Sequence, residues 1–262
     1  MWYKKLFSSL CFLGLLTSCA VQSPSTGLTK YQQAVARYEA KSYYKAAQLL
    51  EEALPQLRGK KEEASARFYQ AYCSFHQKEY VKSSDRFKYF YETFLQDPRL
   101  EEALYMQAHT LYLQSPDVKL DQAFTQKATY IFRTYLQHYP KGAYAEKAKA
   151  QLEVLKNKLA LKDFSSAQLY YRLAHYQAAV VALENFQQDF PHSSHNEKAA
   201  YLKAEAQYHC FRAAQENKAK EQLSKAIKYC QEFLDNYPNS PYARTVGEIY
   251  NKLSRHSWLQ TL

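Results

Sequence analysis

One spaced pattern limits what this chain can fold into. "YQQAVARY" (residues 31–38) returns as "FYQAYCSF" (68–75), "YMQAHTLY" (105–112), "FSSAQLYY" (164–171) and "YLKAEAQY" (201–208). Each copy has an aromatic ring, an alanine three positions on, and a second ring four positions beyond that. The steps from 31 to 68, from 68 to 105 and from 164 to 201 are each 37 residues. Spacing i, i+3, i+7 puts three side chains on one helical stripe. The alanine lets another helix approach closely while the rings pack above and below it. Packing is therefore the first role to assign to every ring in these stripes. Each stripe is followed by a second helical segment and then by Pro55, Pro98, Pro140, Pro191 or Pro238. Proline cannot continue a helix, and it pushes the residue before it out of helical geometry. The unit reads as helix A, short turn, helix B, proline stop.

A two-helix unit with this period resembles the tetratricopeptide repeat. Small residues at the start of helix B (Ala46, Ser83, Ala179, Ala226) extend the resemblance. No unit can bury its apolar face alone, so units stack. The expected fold is all-α, a right-handed tetratricopeptide-repeat solenoid of five helix pairs plus a C-terminal capping helix. With only five glycines, the chain is ill suited to a β-rich fold with many tight turns.

The rhythm breaks between Tyr105 and Phe164, a step of 59 residues. Residues 115–121 lengthen the turn inside the third unit. Residues 142–173 then run without proline or further glycine, and read as one helix of about 30 residues, or ~45 Å. This spine separates N-terminal repeats 1–3 (29–140) from a C-terminal part (141–262) holding the linking helix, repeats 4 and 5 and the cap. Ser194 and Glu197 form a capping-box pattern for helix A of unit five. Ser240 and Pro241 read as N-cap and first turn of the capping helix.

Residues 1–18 read as a signal segment, with Lys4 and Lys5 before an apolar run. The run ends in "LTSC", which resembles a bacterial lipobox with Cys19 as the lipidated residue. A plain signal peptide followed by an unmodified cysteine is the alternative. The apolar run is shorter than the ~20 residues a membrane span needs. Ala at position 20 points to outer-membrane sorting. Residues 19–28 read as a flexible tether. Removing residues 1–18 lowers the formal net charge from +10 to +8. For an exported chain that excess suits an acidic protein surface or anionic headgroups rather than nucleic acid. Cys73, Cys210 and Cys230 read as small hydrophobes, because Cys210 and Cys230 are offset by roughly 9 Å on neighbouring helices.

Catalytic signatures are missing from the sequence: no phosphate loop, no G-x-S-x-G, no HExxH. Cys73 and His76 have i, i+3 spacing without a second pair, and His192 and His195 sit after a proline; neither reads as a metal site. Adjacent glutamates point about 100° apart on a helix and read as solvated faces. The chain reads as non-enzymatic, with no cofactor.

Five such repeats behind a lipobox, split by a long helix, resemble the BamD family of outer-membrane assembly lipoproteins. The closest local match is 139–191, with its "YPKGAY" opening, "LKNKLA" segment and "AQLYY" helix. The resemblance covers about residues 28–250. It departs at "LQDP" in repeat two and in lacking glycines at the repeat turns. It implies a protein on the periplasmic side of the outer membrane, held there by its lipid. It also implies C-terminal repeats docking on the periplasmic domains of a BamA-like barrel, and N-terminal repeats receiving β-signals of unfolded outer-membrane proteins. The candidate substrate groove is Tyr31, Tyr38, Arg67, Tyr72 and Tyr105. Arg37, Arg67 and Arg86 are the candidate partners for a terminal carboxylate. The candidate BamA contact is His192, Ser194, Asn239 and Tyr242. A different tetratricopeptide lipoprotein, serving another envelope complex, is the competing reading.

Overall fold

A computed structural model describes residues 26–255. They form eleven helices and no strand. These are α1 (Gly27–Glu39), α2 (Tyr43–Leu57), α3 (Glu63–His76), α4 (Tyr80–Thr93), α5 (Leu100–Leu113), α6 (Ala123–His138), α7 (Ala145–Arg172), α8 (Tyr176–Asp189), α9 (Asn196–Arg212), α10 (Glu216–Asn236) and α11 (Ala243–Ser254). Each helix packs on the next, giving five A/B pairs closed by α11. The chain is an all-α helical-repeat solenoid, as the stripes require. Helix α1 begins at Gly27, so Gly27 and Leu28 are helical rather than part of a tether. The signal segment and Cys19 lie outside the described residues.

The stripe alanines Ala34, Ala71, Ala108, Ala167 and Ala204 are all fully buried. So are Ala46, Ser83, Ala179 and Ala226 at the start of the B helices. The two sets mark where helices of one unit come closest. In unit two the Ser83 hydroxyl donates to the Ala71 carbonyl at 3.0 Å. The A helices also reach the A helices of following units, α1 to α3, α5 to α7, α7 to α9 and α9 to α11. They therefore line one face of the solenoid.

The 28-residue α7 serves two cores. Ala145, Ala148, Leu152 and Leu155 belong to the core of units two and three. Ala160, Phe164 and Ala167 belong to that of unit four. Helix α7 also grips the long turn before α6. Lys158 Nζ donates to the Ser115 hydroxyl (2.7 Å) and the Pro116 carbonyl (2.9 Å), and Lys162 Nζ to the Lys119 carbonyl (3.0 Å).

A second regularity joins the units. The N-cap residues of α5, α7, α9 and α11 lie on the first ring of the preceding stripe, whereas α3 has Glu62 at that position. The Arg99 guanidinium sits 4.7 Å from the Phe68 ring centre. Tyr144 stacks on Tyr105 at 4.5 Å, His195 on Phe164 at 4.9 Å and Tyr242 on Tyr201 at 4.4 Å. Three kinds of side chain, arginine, tyrosine and histidine, perform one task because each offers a flat polarisable group. The turn before α7 is closed by Tyr135, whose hydroxyl donates to Glu101 (2.8 Å) and accepts from the Tyr144 amide (3.1 Å). A side chain at Gly142 would meet both the Glu101 carboxylate and the Tyr135 hydroxyl, the two ends of that bond.

The A-to-B turns explain the missing glycines. Lys41, Lys78 and Ala174 take left-handed φ of 57°, 61° and 58°, positions where glycine is the usual residue. Each turn closes with paired bonds from successive amides, such as Lys78 N to Phe75 O and Glu79 N to Ser74 O, both 2.9 Å. Three sequence expectations need correction. Pro55 does not stop α2 but lies in its last turn, because Leu54 and Leu57 are buried on either side of it. Ser194 and Glu197 do not form a capping box. Helix α9 has His195 at its N-cap, Asn196 Nδ2 donates to the carbonyls of Phe190 and Pro191, and Glu197 accepts from Ser240. Ser240 is not the N-cap of α11; Tyr242 is, and the Ser240 oxygen accepts from its amide at 3.1 Å.

Candidate partner-binding face

The first three A helices present one continuous row of rings, because each stripe adds rings at the same height on the shared face. Tyr38 on α1 lies 4.9 Å from Tyr69 and 6.0 Å from His76. His76, exposed at the end of α3, stacks on Tyr43 at 4.0 Å and faces Tyr72 at 6.1 Å. Phe75 bridges His76 (5.4 Å) to His109 on α5 (6.0 Å). His109 lies parallel to Tyr105 at 5.6 Å and to Tyr112 at 6.1 Å. Gln151 ties the row to α7, donating to His109 Nδ1 at 2.9 Å and accepting from the Tyr105 hydroxyl at 3.3 Å.

Polar edges of the row are held by carboxylates. The Tyr72 hydroxyl donates to Glu102 Oε1. Burial and that carboxylate push the Tyr72 phenol far above its usual range. Burial, with Cys73, Tyr43 and Tyr69 close by, pushes Tyr38 up to about 12. Burial lowers His76 and, with Lys147 nearby, His109, so both imidazoles favour the neutral form. The row is thus a neutral aromatic surface that can offer stacking and a few hydrogen bonds.

The sequence-derived residues separate when placed in the fold. Tyr38 and Tyr72 are half-buried members of the row. Tyr31 lies on the same side of α1, with its phenol raised by burial. Tyr105 is buried, and its ring is covered by Tyr144. Arg67 turns instead toward α4, over the Tyr89 ring at 5.0 Å and 3.8 Å from Glu63. Arg86 is spent inside the fold, donating to the Gln70 carbonyl, the Ser74 hydroxyl and, at 2.9 Å, Glu51. Arg37 is exposed and borders a cleft between α1 and α2 with Gln33 and Glu52. A carboxylate site built from these three arginines is therefore not assembled. Lys147 is a cation near enough to His109 to disfavour its charged form. His109, Tyr144 and Lys147 were missed from sequence, although His109 stands four residues after Tyr105 on the same stripe.

At the other end, His192, Ser194 and Asn239 are exposed in the α8–α9 and α10–α11 turns. These turns lie side by side, joined by the Ser240 hydroxyl donating to Glu197 at 2.6 Å. The Tyr242 ring is occupied by Tyr201. His192 borders a cleft of about 220 Å³ with Arg133, Lys156 and Asp189. Among the described residues no cluster of three His, Cys, Asp or Glu could hold a metal ion, and no helix is long and apolar enough to cross a membrane.

A helical-repeat solenoid with a ring-lined inner face defines a class, the repeat scaffolds that bind other chains along a surface. Within that class, the family model described as "YfiO: Outer membrane lipoprotein" matches residues 25–181 and 169–256, and the chain belongs to this family, that of BamD. The outer membrane protein assembly factor BamD of Rickettsia prowazekii (strain Madrid E) is 25% identical over 244 residues, covering 91% of this chain and 93% of that protein. The BamD of Caulobacter vibrioides is 27% identical over 128 residues, covering 49% and 41%. That of Vibrio cholerae is 33% identical over 75 residues, covering 29% and 31%.

Proposed function

We propose that this chain is a non-enzymatic assembly factor for outer-membrane proteins, anchored by lipid at Cys19 and facing the periplasm. Its N-terminal repeats receive the aromatic-ended β-signals of unfolded barrel proteins. Its C-terminal repeats dock on the periplasmic domains of a BamA-like barrel. The observation that carries the reading is the row from Tyr38 through His76 and Phe75 to His109, a half-buried aromatic surface with His76 exposed, on the inner face of the solenoid. A terminal aromatic can stack there, and Lys147 supplies positive charge near His109. Residues His192, Ser194 and Asn239 offer a polar rim for the second partner, suited to setting association rate and specificity. Affinity purification of the full chain from detergent-solubilised outer membranes tests this. Co-purification of a barrel with periplasmic domains supports it. Recovery of peptidoglycan enzymes without any barrel would move the chain to another envelope complex.

A further inference from the structure

The edge of the solenoid that carries the start of α1 also carries the α2–α3 turn. Gly27 is buried against α2, and its amide donates to Gln56 Oε1 at 2.7 Å. A side chain at Gly27 would collide with Gln56. The point where the chain enters the fold is therefore fixed beside the end of α2. Two residues beyond Gln56 the turn reads Arg58, Gly59, Lys60, Lys61, all exposed. Gly59 has φ of 74° and open space around it. Its amide is held by Glu63 at 2.7 Å, so the turn is shaped rather than loose.

The charges of this turn are largely unmatched. Arg58 and Lys60 form no ion pair among the described residues, and Lys61 reaches Glu62 only at 3.7 Å with 90% of its side chain exposed. Glu63 is shared with Gly59 and Arg67. Nearby Lys30 is paired with Glu52. Other turns on this edge differ. Arg99 is neutralised by Asp97 at 2.7 Å, and Lys141 stands without a second basic residue in its turn.

We propose that the turn at residues 58–61 is a contact for anionic phospholipid headgroups, holding this edge of the solenoid against the membrane. The proposal rests on lipidation of Cys19. Cys19 and Thr26 are seven residues apart, so the turn's edge cannot stand more than about 25 Å from the anchor. Any approach closer than that full reach brings the turn toward the ~8–10 Å over which a charged surface acts at physiological salt. A lipid chain alone leaves the solenoid free to swivel. Three cations beside the entry point fix which edge faces the bilayer and leave the inner row of rings open to incoming chains.

The test uses the full lipidated protein in vesicles of phosphatidylcholine alone or with one-third phosphatidylglycerol, under limited trypsin. Cleavage after Arg58, Lys60 and Lys61 is read by mass spectrometry against cleavage after Lys41 and Lys78 on the opposite edge. About fivefold or greater protection of the first set in anionic vesicles is expected, in line with the attraction of single basic residues to such surfaces. It should vanish in 1 M salt, with Lys41 and Lys78 unaffected. Equal cleavage in both vesicles, or equal protection of both edges, overturns the proposal. Intact mass reads Cys19 acylation separately, so an absent lipid defeats the anchor reading alone. In that case flotation of the unacylated full chain with anionic vesicles, lost in Arg58→Gln/Lys60→Gln/Lys61→Gln, still decides the role of the turn.

Discussion

Replacing Lys41, Lys78 and Ala174 by glycine should stabilise the solenoid. All three hold left-handed φ near 60°. That geometry costs an L-residue about 1–2 kcal/mol through its Cβ. Glycine avoids this cost but loses about 0.5–1 kcal/mol more chain entropy on folding. The difference leaves about 0.5–1 kcal/mol of stabilisation per site. The three turns lie in units one, two and four and share no partner, so the effects should add to about 2 kcal/mol. For a chain of this size that raises the thermal midpoint by about 4–8 °C. The assay is thermal unfolding followed by far-ultraviolet circular dichroism. Ala40→Gly is the control, since Ala40 has φ of −73° and glycine there brings only the entropic loss. It should lower the midpoint. A triple variant no more stable than the parent, or a stabilised control, would refute the reasoning about these turns.

Ala71→Leu should lower stability by about 1–3 kcal/mol in denaturant titration, since Ala71 is fully buried where Ser83 bonds its carbonyl. At pH 8 Cys73 and Cys230 should resist iodoacetamide until the fold is opened, because burial pushes both thiols up to about 12; rapid native-state labelling would contradict this. His76 and His109 have folded pKa values lowered by burial from 6.5. The unfolded chain then binds protons first on acidification, so their contribution is whole above about pH 6.5 and lost as pH falls through the folded values. His109→Gln should weaken the drop in denaturation midpoint between pH 7 and pH 5.

The fold was legible because its period is written in residues that do one job each. Five alanines at fixed spacing from two rings leave few alternatives to close helix pairs, and all five are buried. The long α7 was readable from its lack of proline and glycine. Caps and turns were less legible. Ser194 and Ser240 have the right residue type for N-caps, but tertiary partners decide: Glu197 is drawn to Ser240, and flat side chains fill the N-cap positions to reach the preceding stripe. The site was half legible. Helical spacing from the stripes puts Tyr38 and Tyr72 on the face that the A helices share. It could not say that Tyr105 would be roofed by Tyr144, or that Arg67 and Arg86 would turn to Tyr89 and Ser74. Helical spacing fixes the direction of a side chain from its own helix, not what the next unit lays over it.

The central claim is that two ends of one solenoid engage different partners. Photo-crosslinking groups placed at His76 and at His192, both exposed, test it most directly in living cells. The account predicts that His76 captures unfolded outer-membrane proteins through their C-terminal segments, while His192 captures a barrel with periplasmic domains. Capture of the same partner at both positions, or of no barrel protein at either, would contradict it.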